Sequence, residues 1–103
     1  MRRALLALVL WLLPAASFGA EVRATIDNFT FSPVTITVAP GTTVTWTNRD
    51  DIPHTVTSAD TPRAFGSQPL DTGDRFSFVF AAPGSYRYFC SLHPHMQGTV
   101  VVR

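Results

Sequence analysis

The side chains with the greatest capacity for metal or redox chemistry lie within seven residues near the end of the sequence. This stretch, CSLHPHM from Cys90 to Met96, holds the only cysteine, one of the two methionines and two of the three histidines. The third histidine, His54, lies 36 residues upstream, directly after Pro53 and at the start of a predicted strand. Thiolate, imidazole and thioether are soft and borderline donors, and together they suit copper in both oxidation states.

Cys90 is predicted to end a β-strand. The chain then turns, so His93 and Met96 can fold back around the same point. Two imidazoles and a thiolate in a plane, with a more distant thioether on the axis, are the donor set of blue-copper electron-transfer sites. Each side chain also has an ordinary structural interpretation as a buried cysteine, a core methionine or a solvated histidine. Their concentration in one short segment favours the metal site.

The donor types alone are also compatible with other functions. A copper-trafficking or storage protein is the main alternative, although such sites are usually richer in methionine, and Met96 is the only methionine beyond residue 20. A zinc site would use a thioether poorly. A cysteine hydrolase would pair Cys90 with a histidine but give Met96 no part. An oxidase cluster would need many more than three histidines. We therefore do not predict an enzyme.

The first 20 residues differ in composition from the rest. Two arginines precede an uncharged, leucine-rich segment at 4–13, which is followed by Pro14 and small residues. This order is typical of a secretory signal peptide. Ten apolar residues are also too few to span a bilayer, which takes about 20. We predict a signal peptide at residues 1–20, cleaved between residues 17 and 20, and an exported, periplasmic domain at 21–103 without a membrane span.

Residues 21–103 suit one small domain. Their six arginines and seven acidic residues give a net charge of −1, and the arginines are scattered, so nucleic acid is not an expected partner. The single cysteine excludes an internal disulfide. A domain of this size buries only roughly 60–65% of its surface on folding. A bound metal would therefore add useful stability.

β-branched residues and alternation of apolar with polar residues dominate the domain. The alternating segments are 34–38, 43–47, 76–80, 86–88 and 98–102. Their spacing predicts an all-β sandwich of about seven or eight mostly antiparallel strands. Residues 58–74 contain two prolines and two glycines without periodicity, which predicts a long irregular connection.

Residues 24–103 resemble the type 1 copper proteins of the cupredoxin superfamily, amicyanin first and plastocyanin next. The resemblance is carried by four motifs: Trp46-Thr47-Asn48, Pro53-His54, Gly84-Ser85-Tyr86, and Cys90-x2-His93-x2-Met96 followed by GTVVV at 98–102. It implies a Greek-key β-sandwich that binds one copper per chain. The implied copper ligands are His54, Cys90, His93 and Met96.

The resemblance also implies roles for neighbours of the ligands. Asn48 would hydrogen-bond to the loop that carries the ligands and hold it, while the backbone N–H of Thr55 could donate to the Cys90 sulfur. Three positions depart from the family pattern: His95 replaces an aromatic residue, Leu92 replaces a proline, and Thr55 stands where the family tends to have asparagine. We interpret His95 as a solvated surface histidine rather than a ligand.

The implied function is the transfer of single electrons between redox partners. His93 lies between Leu92 and Pro94, so we expect its ring edge to emerge through an apolar patch completed by Ile52 and Pro53. Such a patch would dock a transient protein partner. Amicyanin-like proteins serve an amine dehydrogenase and a cytochrome, so a dehydrogenase or a cytochrome is the expected class of partner. The protein itself is expected to be a monomer.

Overall fold

The computed structural model describes residues 19–103, which form eight strands and no helix. The strands are β1 (Glu21–Asp27), β2 (Thr30–Ser32), β3 (Thr35–Val38), β4 (Thr42–Asn48), β5 (Thr57–Ser58), β6 (Arg75–Phe80), β7 (Gly84–Cys90) and β8 (His93–Val102). In this part of the chain, no helix is long and apolar enough to cross a membrane. The predicted signal peptide lies almost wholly outside the described residues.

The strands form two four-stranded sheets, ordered β2-β1-β4-β6 and β3-β8-β7-β5. The pairs β1–β4 and β3–β8 are parallel, and the other four pairs are antiparallel. This confirms the predicted all-β sandwich with mostly antiparallel strands. Chain-order neighbours β2 and β3 lie in different sheets, so the chain crosses between the layers early.

Aromatic side chains fill much of the space between the sheets. Trp46 of β4 and Tyr88 of β7 are fully buried, and the indole N–H of Trp46 donates to the Tyr88 hydroxyl at 3.2 Å. This burial raises the pKa of Tyr88 to about 12. A Cβ at Gly98 would lie 2.5 Å from the Tyr88 ring, so the glycine lets Tyr88 cross β8 closely. The core thus anchors β7 two residues before Cys90.

Three local predictions differ from the structure. The final strand begins at His93 rather than Gly98, because the backbone pairs Cys90 with His93 and leaves only a two-residue turn. The strand expected from His54 is reduced to a single bridge to Leu70 followed by the short β5. Val34, expected on the apolar face, precedes β3 and is 56% exposed. The irregular connection lies between β5 and β6, as predicted.

Candidate metal centre

The last residue of β7 and the first residue of β8 place two of the candidate ligands side by side. Cys90 ends β7 and is fully buried, while His93 begins β8 and is half-buried. The two residues pair across the turn at residues 91–92, with an irregularity in register between Phe89 and Cys90. The tight turn directs both side chains toward one point, and Cys90 Sγ lies 3.7 Å from His93 Nδ1.

The third candidate ligand, His54, comes from the segment between β4 and β5. Its backbone exchanges two hydrogen bonds with Leu70, at 3.2 and 2.7 Å. Its side chain is fully buried, and Nδ1 lies 3.7 Å from Cys90 Sγ. The β-bridge to Leu70 thus fixes a residue that no long strand holds.

Asn48 holds this segment, which corrects the role implied for it by resemblance. Its side-chain amide donates to the carbonyls of Ile52 and Leu70, at 2.9 and 2.8 Å, and its carbonyl accepts from the Asp50 N–H at 2.9 Å. Among the described residues, its side-chain bonds therefore go to the His54 side of the site and not to the loop after Cys90. The reason is position: Asn48 ends β4, so its side chain reaches the chain reversal directly after it.

The spacing of the three donors fits a single metal ion. The side-chain donor atoms of His54, Cys90 and His93 all lie within 4.8 Å of one another. Zinc bonds in proteins are about 2.0 Å to nitrogen and about 2.3 Å to sulfur. At these lengths, a sulfur and a nitrogen bound to one metal in a trigonal arrangement lie about 3.7 Å apart. Both observed sulfur–nitrogen distances are 3.7 Å. The folded chain therefore holds the three donor atoms at distances that suit one metal ion.

Thr55 joins the two segments that carry these donors. Its backbone N–H donates to Cys90 Sγ at 3.3 Å. Its hydroxyl accepts from the Ser91 N–H at 2.8 Å and also bonds with the hydroxyls of Ser91 and Thr57, each at 2.9 Å. A hydrogen bond to a thiolate stabilises its negative charge. Thr55 thus links the segment that carries His54 to the turn after Cys90 and contacts the sulfur directly.

An acidic side chain that the sequence analysis did not single out lies behind His54. Asp50 Oδ2 is 2.7 Å from His54 Nε2, so the ring can donate to the carboxylate through Nε2 while Nδ1 faces Cys90. Asp50 also accepts from the backbone N–H groups of Asn28 and Phe29, at 2.7 and 2.9 Å. The Phe29 bond is the main reason that the pKa of Asp50 falls to about 2, and the other hydrogen bonds and His54 lower it further against the effect of burial. The carboxylate is therefore ionised.

Met96 and His95, neighbours in sequence, have opposite environments. Met96 is only 3% exposed and belongs to the same buried cluster as Cys90. His95 is exposed, with its ring centroid 6.5 Å from that of His93. This alternation follows from their neighbouring positions on β8, where successive side chains point to opposite faces. The methionine is buried in the core with Cys90, and the histidine faces solvent.

The residues of the predicted apolar patch lie mostly at the surface beside the donors. Leu92 is 49% exposed, Pro53 and Pro94 are exposed, and Ile52 is half-buried. The sequence analysis missed Phe29, which is 45% exposed and packs edge-on against both donor histidines. Phe29 lies on the turn between β1 and β2, far from the other patch residues in sequence.

Comparison with known proteins supports a single family. A family model described as a cupredoxin-like domain matches residues 2–102. Amicyanin-alpha from Methylorubrum extorquens is 36% identical over 92 residues, which cover 86% of this chain and 74% of that protein.

Solved structures give the same fold. A purple cupredoxin from Nitrosopumilus maritimus superposes with a TM-score of 0.75 at 40% identity, covering 80% of this chain and 99% of that one. A copper-containing nitrite reductase from Thermus scotoductus also superposes, with a TM-score of 0.75 at 30% identity, but the match covers 81% of this chain and only 22% of the reductase. The fold therefore occurs both as a separate small protein and as part of an enzyme.

Proposed function

This chain belongs to the cupredoxin family, and we propose that it is a small exported blue copper protein that shuttles single electrons between redox partners. The observation that carries the proposal is the cluster of one cysteine sulfur and two imidazoles, with both sulfur–nitrogen distances at 3.7 Å. Copper bound there would supply a one-electron Cu(II)/Cu(I) couple. His54, Cys90, His93 and Met96 would hold it.

The chain's contribution to electron transfer is a set of donors held in place by contacts from different parts of the fold. Each donor is fixed by a different contact: Cys90 by the Thr55 N–H, His54 by Asp50, and His93 by pairing with Cys90 across the turn. Cu(II) and Cu(I) prefer different geometries, and a fixed set of donors would hold both in the same geometry. Little nuclear rearrangement then accompanies the change of charge, which favours fast transfer.

We propose a carrier rather than an enzyme. The similarity to nitrite reductase covers 22% of that protein, so it extends to one part of a larger catalytic chain. A catalytic copper cluster would need further histidine ligands, and this sequence has only three histidines, of which His95 is exposed. The donors of this chain suffice for one copper.

The apolar patch around His93 suits a transient protein partner. Leu92 and Pro94, the sequence neighbours of half-buried His93, are exposed, as is Pro53 next to His54, and Phe29 packs against both histidine rings. We propose that a cytochrome or a dehydrogenase docks here, that residues 1–20 direct export to the periplasm, and that the protein is a monomer. A small apolar contact of this kind favours short-lived complexes.

Voltammetry of the copper-loaded protein tests this function. We expect a reversible one-electron wave that persists over repeated cycles. His54, Cys90 and Met96 are buried, and this burial should slow the loss of copper. A chelator added at neutral pH should remove copper only slowly. Rapid handover to the chelator, or a wave that decays as copper leaves, would contradict electron transfer and favour copper trafficking or storage.

A further inference from the structure

A strained two-residue turn lies against the metal centre. Asn28 and Phe29 connect β1 to β2, and both have left-handed backbones, with φ of 51° and 57°. This conformation suits the turn of a tight hairpin, where asparagine and glycine are preferred. A bulky aromatic residue there is unusual and costs free energy. Some other contact must therefore stabilise Phe29 in this turn.

The carboxylate of Asp50 is that contact. Oδ1 accepts from the Asn28 N–H and Oδ2 from the Phe29 N–H, so both left-handed residues are bonded by one side chain. The parallel register of β1 and β4 brings the partners together. Ile26 pairs with Asn48, and two residues further along the chain from each, beyond the strand ends, lie Asn28 and Asp50. The pairing of β1 with β4 thus places the Asp50 carboxylate next to the turn.

The turn in return places an aromatic ring over both histidines. The Phe29 ring centroid is 5.5 Å from that of His54 and 5.1 Å from that of His93, with interplanar angles of 84° and 90°. The two imidazoles are themselves 5.0 Å apart. Phe29 therefore restricts the rotation of both rings and covers them on its side.

The same Oδ2 atom that accepts from Phe29 also lies 2.7 Å from His54 Nε2. An imidazole that donates from Nε2 keeps its lone pair on Nδ1, the nitrogen that faces Cys90. A negative charge on the outer side of the ring also increases the electron donation of Nδ1. More electron donation stabilises Cu(II) over Cu(I).

We propose that Asp50 is a positioning residue that lowers the reduction potential of the copper centre, by selecting the Nε2–H form of His54 and by holding the Phe29 turn over both histidines. The inference rests on the proposed copper function. Asp50 contacts no metal in this scheme, and it acts only through His54 and the turn.

The test is voltammetry of Asp50→Asn, which removes the charge and keeps the size of the side chain. We expect at least a tenfold loss of preference for Cu(II) over Cu(I), which is a rise in potential of about 59 mV for a one-electron couple. Asp51→Asn is the matched control, since Asp51 is the exposed neighbour and should leave the potential unchanged. A potential for Asp50→Asn equal to that of the wild type would overturn the proposal.

A second measurement needs no copper and separates this inference from the proposed function. Nitrogen NMR of the metal-free protein, above the titration range of histidine, should show His54 as the Nε2–H tautomer in the wild type. In Asp50→Ala the population of the Nε2–H form should fall below that of the wild type, while in Phe29→Leu it should stay the same because the carboxylate remains. A wild type in the Nδ1–H form would refute the role of Asp50 whatever metal binds. Conversely, a wild type with the Nε2–H form that binds no copper would refute only the copper function.

Discussion

We expect Cys90→Ser to abolish the intense visible absorption of the copper-loaded protein and to weaken copper binding at least tenfold. The absorption of a type 1 site comes from charge transfer from thiolate to copper. Cys90 is the only cysteine in the sequence, so no other sulfur can replace its thiolate. Serine has the same shape, but its hydroxyl does not ionise near neutral pH and is a poor ligand for copper. Absorption and copper titrations measure both effects.

Met96→Leu is the matched comparison for this prediction. It removes a buried sulfur from the same site but leaves the thiolate and both imidazoles. We expect it to keep bound copper and an intense band, with a changed reduction potential, because the axial ligand tunes the potential. An intense band that survives in Cys90→Ser, or a complete loss of copper in Met96→Leu, would show that the donors are assigned wrongly.

Copper should also raise the stability of the fold by a large amount. The described domain is small and its one cysteine is free, so no disulfide stabilises it. Metal that binds only the folded state adds about 2.7 kcal/mol to the free energy of unfolding when free copper is 100 times Kd. For a domain of this size, that corresponds to a rise in Tm of roughly 10–20 °C. Circular-dichroism melts with and without copper measure it.

Cys90→Ser supplies the control for this second prediction. Its metal-free form should melt near the metal-free wild type, because the exchange is close in size, and copper should then raise its Tm much less. Equal shifts in both proteins would mean that copper stabilises through some other site. An unchanged Tm for the wild type at saturating copper would contradict a preformed metal centre.

The donors could be found from sequence because they are concentrated along the chain. Cys90, His93 and Met96 lie three residues apart, so a single turn can bring them together, and alternation of side chains predicted the strands on either side. His54 was the only remaining histidine, and the resemblance of Pro53-His54 to the cupredoxins linked it to the site. Local pattern and donor chemistry thus grouped Cys90, His93 and Met96, while His54 also needed the resemblance.

The residues that hold the donors in place could not be found from local sequence patterns. They are distant in sequence and come together only when the strands pair. Asn28 and Asp50 are 22 residues apart, and they meet only because β1 and β4 pair in parallel with Ile26 opposite Asn48. The same limit affected Asn48, whose partners depend on how the chain reverses after β4. An aspartate four residues before a histidine ligand was a visible signal, since metal-bound histidines usually donate to a carboxylate or carbonyl.

The most direct test of a type 1 copper site is titration of the metal-free wild type with Cu(II), followed by optical absorption and electron paramagnetic resonance. We predict saturation at one copper per chain, an intense charge-transfer band in the visible region and a narrow copper hyperfine splitting. A colourless protein, or a weakly coloured complex with the wide splitting of a site without thiolate, would contradict the assignment of His54, Cys90, His93 and Met96 as a blue copper centre.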